Sequence, residues 1–221
     1  YEKTRARLHP SGDRMYLLDT QISPENLVRY SLTDGTAAHV RDQPYSGNWA
    51  MCGNFWFGEA GDRIYTACGN TFTSDADPMQ DMLYAGRIAL TDTAGTYYPT
   101  IVSMTESAVT GRATILDAGR CGSLGSSDCD TLLRVVETQS GATLATYWMP
   151  PVAGSDAYHG QHGLFVFHGS DEAIHLVGRL SGATDPTQAY FVSTPQAATS
   201  VSAVRGAHPV RVPAAGRAVA Q

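Results

Sequence analysis

The chain has 221 residues, of which 43% are hydrophobic and 16% charged, a balance that can fill an ordered core and excludes a disordered polyelectrolyte. Its 15 Lys and Arg against 21 Asp and Glu give a net charge of -6 with no basic block, which excludes a surface built to track nucleic-acid phosphates. No stretch approaches the roughly 18 apolar residues of a membrane span, and the opening residues YEKTRARLHPSG lack the apolar segment of a secretory leader, reading instead as the middle of a repeat from a longer precursor.

Short alternating segments bounded by Gly, Asp, Ser and Pro recur from end to end and helical periodicity is scarce, so an all-β chain is expected. The first unit covers residues 1–46. In it LHPSGDRMYLLD is a polar turn leading into an apolar strand, and LVRYSLTDGTAAH is a strand, turn and further strand, with His9 in the turn and His39 on the outer strand.

The second unit, residues 47–104, opens with the hairpin FWFGEAGDRIYTACG, whose Gly61 to Tyr65 repeats Gly12 to Tyr16 after 49 positions. Cys52 and Cys68 lie equally far from Ala60. A hairpin centred there would set them face to face, within reach of a cross-strand disulfide. The loop SDADPMQD offers Asp75, Asp77 and Asp81 as a weak calcium set, lacking the glycine and distant glutamate of the helix-loop-helix calcium motif; solvated turn residues are the plainer reading. RIALTDTAGT, from Arg87, copies the Arg29 to Thr33 spacing, and Tyr97 and Tyr98 border a turn, where exposed aromatic rings suit contacts with sugars or peptides.

The third unit, residues 105–155, contains the short loop CGSLGSSDC between Cys121 and Cys129, and LLRVVETQSGATL, which repeats the Leu27, Arg29 and Thr33 positions at Leu132, Arg134 and Thr138. Four cysteines in two local pairs suggest two disulfides and an oxidising compartment, extracellular or periplasmic. The alternative is a reduced thiol pair or a metal site, although the spacings are unlike those of zinc sites.

The fourth unit, residues 156–196, carries FVFHGSDEAIHL, which matches FWFGEAGDRIYT, and the preceding loop YHGQHG. His159 and His162 in that loop are the candidate ligand or metal pair, suited also to acid/base work; the plainer reading makes them polar lining residues. Tyr158 beside them joins Tyr97 and Tyr98 as a candidate aromatic contact. Residues 197–221, rich in Ala, Val, Pro and Gly, read as a tail or linker.

A period near 50 residues with about four short strands in each unit is the pattern of β-propeller blades. The Leu-x-Arg-x-x-x-Thr element with its following glycine turn resembles the hairpins of quinoprotein-like and YVTN-type propellers, over residues 1 to about 195. That resemblance implies four four-stranded antiparallel blades, either closing alone or forming part of a larger propeller, with blade edges covered by another protein segment or chain. The expected function is a secreted or periplasmic binding or scaffolding module within a larger assembly, compatible with a small-molecule or glycan ligand. The alternative is a propeller enzyme acting on a sugar or lactone through a histidine-lined channel. No motif specifies a catalytic residue or a cofactor.

Overall fold

The structure, a computed structural model, describes residues 4–20, 22–90, 100–121, 129–148, 165–168, 174–179 and 190–193. Among the described residues all regular elements are β-strands, arranged in chain order as successive antiparallel meanders, the sheet pattern of propeller blades. The first sheet contains β1 (Arg5–Leu8), β2 (Arg14–Asp19), β3 (Asn26–Thr33) and β4 (Thr36–Asp42). The second contains β5 (Phe55–Phe57), β6 (Arg63–Thr66), β7 (Asn70–Thr73) and β8 (Tyr84–Arg87). The third contains β9 (Thr100–Ser107), β10 (Arg112–Cys121), β11 (Cys129–Glu137) and β12 (Thr143–Trp148). Among the described residues the fourth has three strands, β13 (Phe165–His168), β14 (Ile174–Arg179) and β15 (Tyr190–Ser193).

The chain divides into two compact units, residues 1–89 with the first two sheets and residues 90–221 with the rest. In the second unit β9 starts at Thr100, so the third sheet begins ahead of the expected boundary at 105. Its β10 and β11 bury Ala113, Ile115, Leu116, Leu133 and Val136, together with Arg134.

The first unit shows why one short motif recurs. Gly12 and Gly61 both have left-handed backbones, at φ 77° and 74°, which glycine adopts without a Cβ penalty. Around them the same backbone bonds are made twice. His9 N–H donates to Arg14 C=O and Gly12 N–H to His9 C=O, as Gly58 N–H does to Arg63 C=O and Gly61 N–H to Gly58 C=O. The turn carbonyls of Asp13 and Asp62 then accept from Leu32 on β3 and from Ser74 just after β7. Each turn thus aligns three strands of its own sheet.

Strand alternation decides what lies inside. In β2, Arg14, Tyr16 and Leu18 are buried while Met15 and Leu17 on the other face are half-buried. Tyr16, Leu18 and Leu27 pack with Met51, Phe55, Ile64, Phe72 and Met82 in one core between the first two sheets, flanked by Tyr45, Trp49, Phe57 and Tyr84. Trp49 stacks on Tyr84 at 3.7 Å between ring centroids, and the Tyr45 hydroxyl accepts from Tyr84 N–H, so the 43–54 connection closes the side of that core.

Not every repeat match is structural. Arg29 and Arg134 occupy the third strands of their sheets and are both buried. Arg87, expected as the intervening copy, lies instead in the fourth strand, β8, and is exposed. The third strand of that sheet is β7, NTFT, with no arginine.

Candidate functional site

Among the described residues a dense buried polar arrangement lies where the first two sheets meet, inside residues 1–89. Arg29 falls on a position that the strand alternation of β3 turns inward, and a guanidinium there needs a buried carboxylate. Asp81 supplies it from the β7–β8 loop, with Arg29 Nη1 at 2.9 Å from Asp81 Oδ2 and the Asp81 side chain wholly buried. Tyr16 Oη donates to the same Oδ2 at 2.7 Å, and Asp81 Oδ1 accepts the N–H groups of Asp75 and Met82, both at 3.0 Å. Burial pushes the Tyr16 phenol up to about 12; its hydrogen bond with Ser74 opposes this, and the Asp81 hydrogen bond and charge reinforce it.

The same loop closes around cations supplied by the first sheet. Arg29 also donates to the carbonyls of Asp75 and Ala76, at 2.8 and 2.9 Å, and Arg41 donates to the carbonyl of Pro78. Asp75 Oδ1 accepts Asp77 N–H and Asp77 Oδ1 accepts Met79 N–H, each folding the loop onto itself. Asp75, Asp77 and Asp81 therefore do not converge as the weak calcium set read from the sequence. The reason is physical: carbonyl oxygens and the carboxylate that a calcium ion would require are already turned to guanidinium donors. Among the described residues no group of three or more His, Cys, Asp or Glu is placed to hold a metal ion.

His9 forms a second brace. It is buried; Ser11 N–H lies 3.1 Å from Nδ1, and Nε2 lies 2.7 Å from Gly61 C=O and 3.1 Å from Arg14 Nη2. Its ring meets Phe57 edge-on at 5.1 Å between centroids, and Phe57 meets Tyr16 in the same way at 5.3 Å. The repeated turns of the two sheets are thus joined directly to each other. Ser11 Oγ donates to Asp13, which holds that exposed carboxyl below its ordinary value, and Asp13 in turn pairs with Arg14 at 3.1 Å. The sequence signal for His9 was weak, because a lone histidine in a turn has no spacing partner.

Cys52 and Cys68 form a disulfide with their Cα atoms 5.2 Å apart. The geometry differs from the expected one. Phe55 pairs with Thr66, Trp56 with Tyr65 and Phe57 with Ile64, which centres the hairpin between Ala60 and Gly61 and not on Ala60. Both cysteines lie beyond the strand ends, Cys52 in a left-handed turn at φ 57° and Cys68 in the β6–β7 turn, so the bridge ties two connections together. In the second unit the β10–β11 register sets Cys121 opposite Cys129. His159, His162, Tyr97, Tyr98 and Tyr158 lie outside the described residues.

Comparison with known proteins finds distant structural likenesses. No family pattern and no curated protein matches the sequence. Among solved structures the chain is similar to a europium-containing methanol dehydrogenase, at 12% identity and a TM-score of 0.49, over 83% of this chain and 38% of that one. It is also similar to the tail fiber of Staphylococcus aureus phage P68, at 8% identity and a TM-score of 0.34, over 86% of this chain and 46% of that one. The chain thus spans less than half the length of either protein.

One group in this region lacks an opposite charge. Arg7 on β1 donates from Nη2 to Asn54 Oδ1 at 3.2 Å, with its guanidinium carbon 5.5 Å from the Trp56 ring and 5.7 Å from the Phe55 ring. Arg14 and Arg29 have Asp13 and Asp81; among the described residues no carboxylate lies within ion-pair distance of Arg7 or of its neighbour Arg5.

Proposed function

We propose that the chain is a β-propeller module for binding or scaffolding in an extracellular or periplasmic setting, acting as part of a larger protein or assembly. The observation that carries this reading is a contrast between repeat-equivalent positions. Ile64 in β6 is fully buried because the first sheet covers it. Met15, its counterpart in β2, is half-buried, and Leu8, paired with Met15 across β1 and β2, is 60% exposed. An apolar face that is covered in one sheet and only partly covered in its repeat favours a further protein surface resting on the first sheet.

The polar chemistry of residues 4–90 supports the same reading, since Tyr16, Arg29, Asp81 and His9 brace one sheet against another. The Cys52–Cys68 bridge and the facing positions of Cys121 and Cys129 support an oxidising compartment. Sedimentation velocity across a range of concentrations, paired with a thiol count on the native protein, tests both parts. The expected result is a species heavier than one chain and no reactive thiol. A monomer at every concentration would overturn the assembly, and reactive thiols in a fully folded protein would overturn the compartment.

A further inference from the structure

We propose that Arg5 and Arg7, with Asn54 and Trp56, form a subsite for the carboxylate of a uronic-acid sugar. The inference rests on the reading of the chain as a binding module and names the chemistry of what it binds.

Position comes first. Among the described strands, β1 and β5 are the outermost at corresponding ends of their sheets, each paired on one side, so each presents a row of backbone polar groups along its edge. Arg5 and Arg7 are two residues apart and share one face of β1, opposite Leu18 and Tyr16 in the register, the face that packs towards the second sheet. There the Arg7 head is fixed by Asn54 and by the Phe55 and Trp56 rings, while Arg5 remains exposed.

Charge comes second. Two guanidinium groups stand side by side, one of them half-buried, in a chain whose acids outnumber its bases by 21 to 15. Burial and the nearby Arg5 charge both act against the charge on Arg7. An incoming carboxylate would relieve that repulsion, and a planar guanidinium matches it with two parallel N–H donors. A head group already held in place loses little freedom when it binds.

The ring comes third. Trp56 is half-buried with the Arg7 guanidinium over its ring, and the exposed part of the indole would lie against the C–H side of a sugar whose hydroxyls meet the polar strand edge. A carboxylate on a pyranose ring satisfies both features together.

The test is calorimetric titration of the full chain with trigalacturonate and, in parallel, with the neutral galactose trisaccharide. Trigalacturonate is expected to bind, the neutral sugar about tenfold or more weakly, matching the loss of one charge-assisted contact. Arg5→Gln, at an exposed position, is expected to weaken trigalacturonate about tenfold with no change in melting temperature. Arg7→Lys keeps the charge and removes the fork, and is expected to weaken binding as well. Equal binding of the neutral sugar, unchanged affinity in both variants, or inorganic phosphate competing as well as the uronate would each overturn the proposal. Absence of trigalacturonate binding in a chain that still assembles and has no reactive thiol would overturn the subsite and leave the module reading standing.

Discussion

Replacing Asp81 with asparagine probes the joint between the first two sheets almost isosterically. The amide oxygen can still accept from Asp75 and Met82 N–H groups, but the side-chain nitrogen now faces Arg29 Nη1 and Tyr16 Oη, where a carboxylate oxygen had accepted two bonds at 2.9 and 2.7 Å. Arg29 is left as a buried cation without a counter-charge, a situation that costs about 3–5 kcal/mol. For a chain of this size that corresponds to a fall in melting temperature of roughly 6–20 °C. Urea unfolding followed by tryptophan fluorescence measures the loss, and the double variant Arg29→Met/Asp81→Asn should lose less than the two single variants added together. A loss below about 1 kcal/mol in Asp81→Asn would refute the reasoning, because it would mean that Arg29 finds water or another partner at little cost.

Three further expectations follow from the same region. Gly61→Ala places a Cβ 2.8 Å from His9 Nε2 at a left-handed φ of 74°, whereas Gly12→Ala at φ 77° meets nothing within 4 Å; Gly12→Ala should cost about 1–2 kcal/mol and Gly61→Ala clearly more, read from paired unfolding curves. Tyr16 has its folded value raised above the unfolded one, so its contribution is fully present below pH 10 and disappears as pH rises towards about 12. Stability of the native protein should therefore fall across that window, and Tyr16→Phe should flatten the fall. Removing the 16-residue loop closure with Cys52→Ala/Cys68→Ala should lower stability by about 3 kcal/mol through the freer unfolded chain, with the folded far-ultraviolet spectrum unchanged.

Much of the architecture was legible in local pattern. The turn before Met15 and the turn before Ile64 are alike because a left-handed glycine and a carbonyl aimed at the next strand are short-range requirements, met within a few residues. The Leu27, Arg29 and Thr33 spacing was legible for the same reason, and its match at Leu132 falls on the equivalent third strand. The match at Arg87 misled because spacing alone does not record which strand of a sheet a segment joins: the third strand, β7, ends at Thr73, and Arg87 falls in β8.

The candidate site was hardly legible at all. Asp81 looked like one of three loop carboxylates, and only its approach to Arg29, 52 residues away in the chain, turned it from a calcium candidate into the counter-ion of a buried arginine. His9 and Arg7 acquired their roles in the same way, from partners at Gly61 and Asn54. The cysteine pairing of Cys52 with Cys68 was correct on spacing, but the strand register differs by one residue from the expected one and both cysteines lie beyond the strand ends.

By itself, then, the amino-acid sequence determined the all-β class, the repeated turns and the local cysteine pair, because alternation, glycine conformation and short loop closure act over a few bonds along the chain. Only the tertiary structure decided which charges are neutralised and which are left facing an edge. Such compensation is settled by distances of a few ångströms between residues about 50 positions apart, and no period in the sequence encodes that distance.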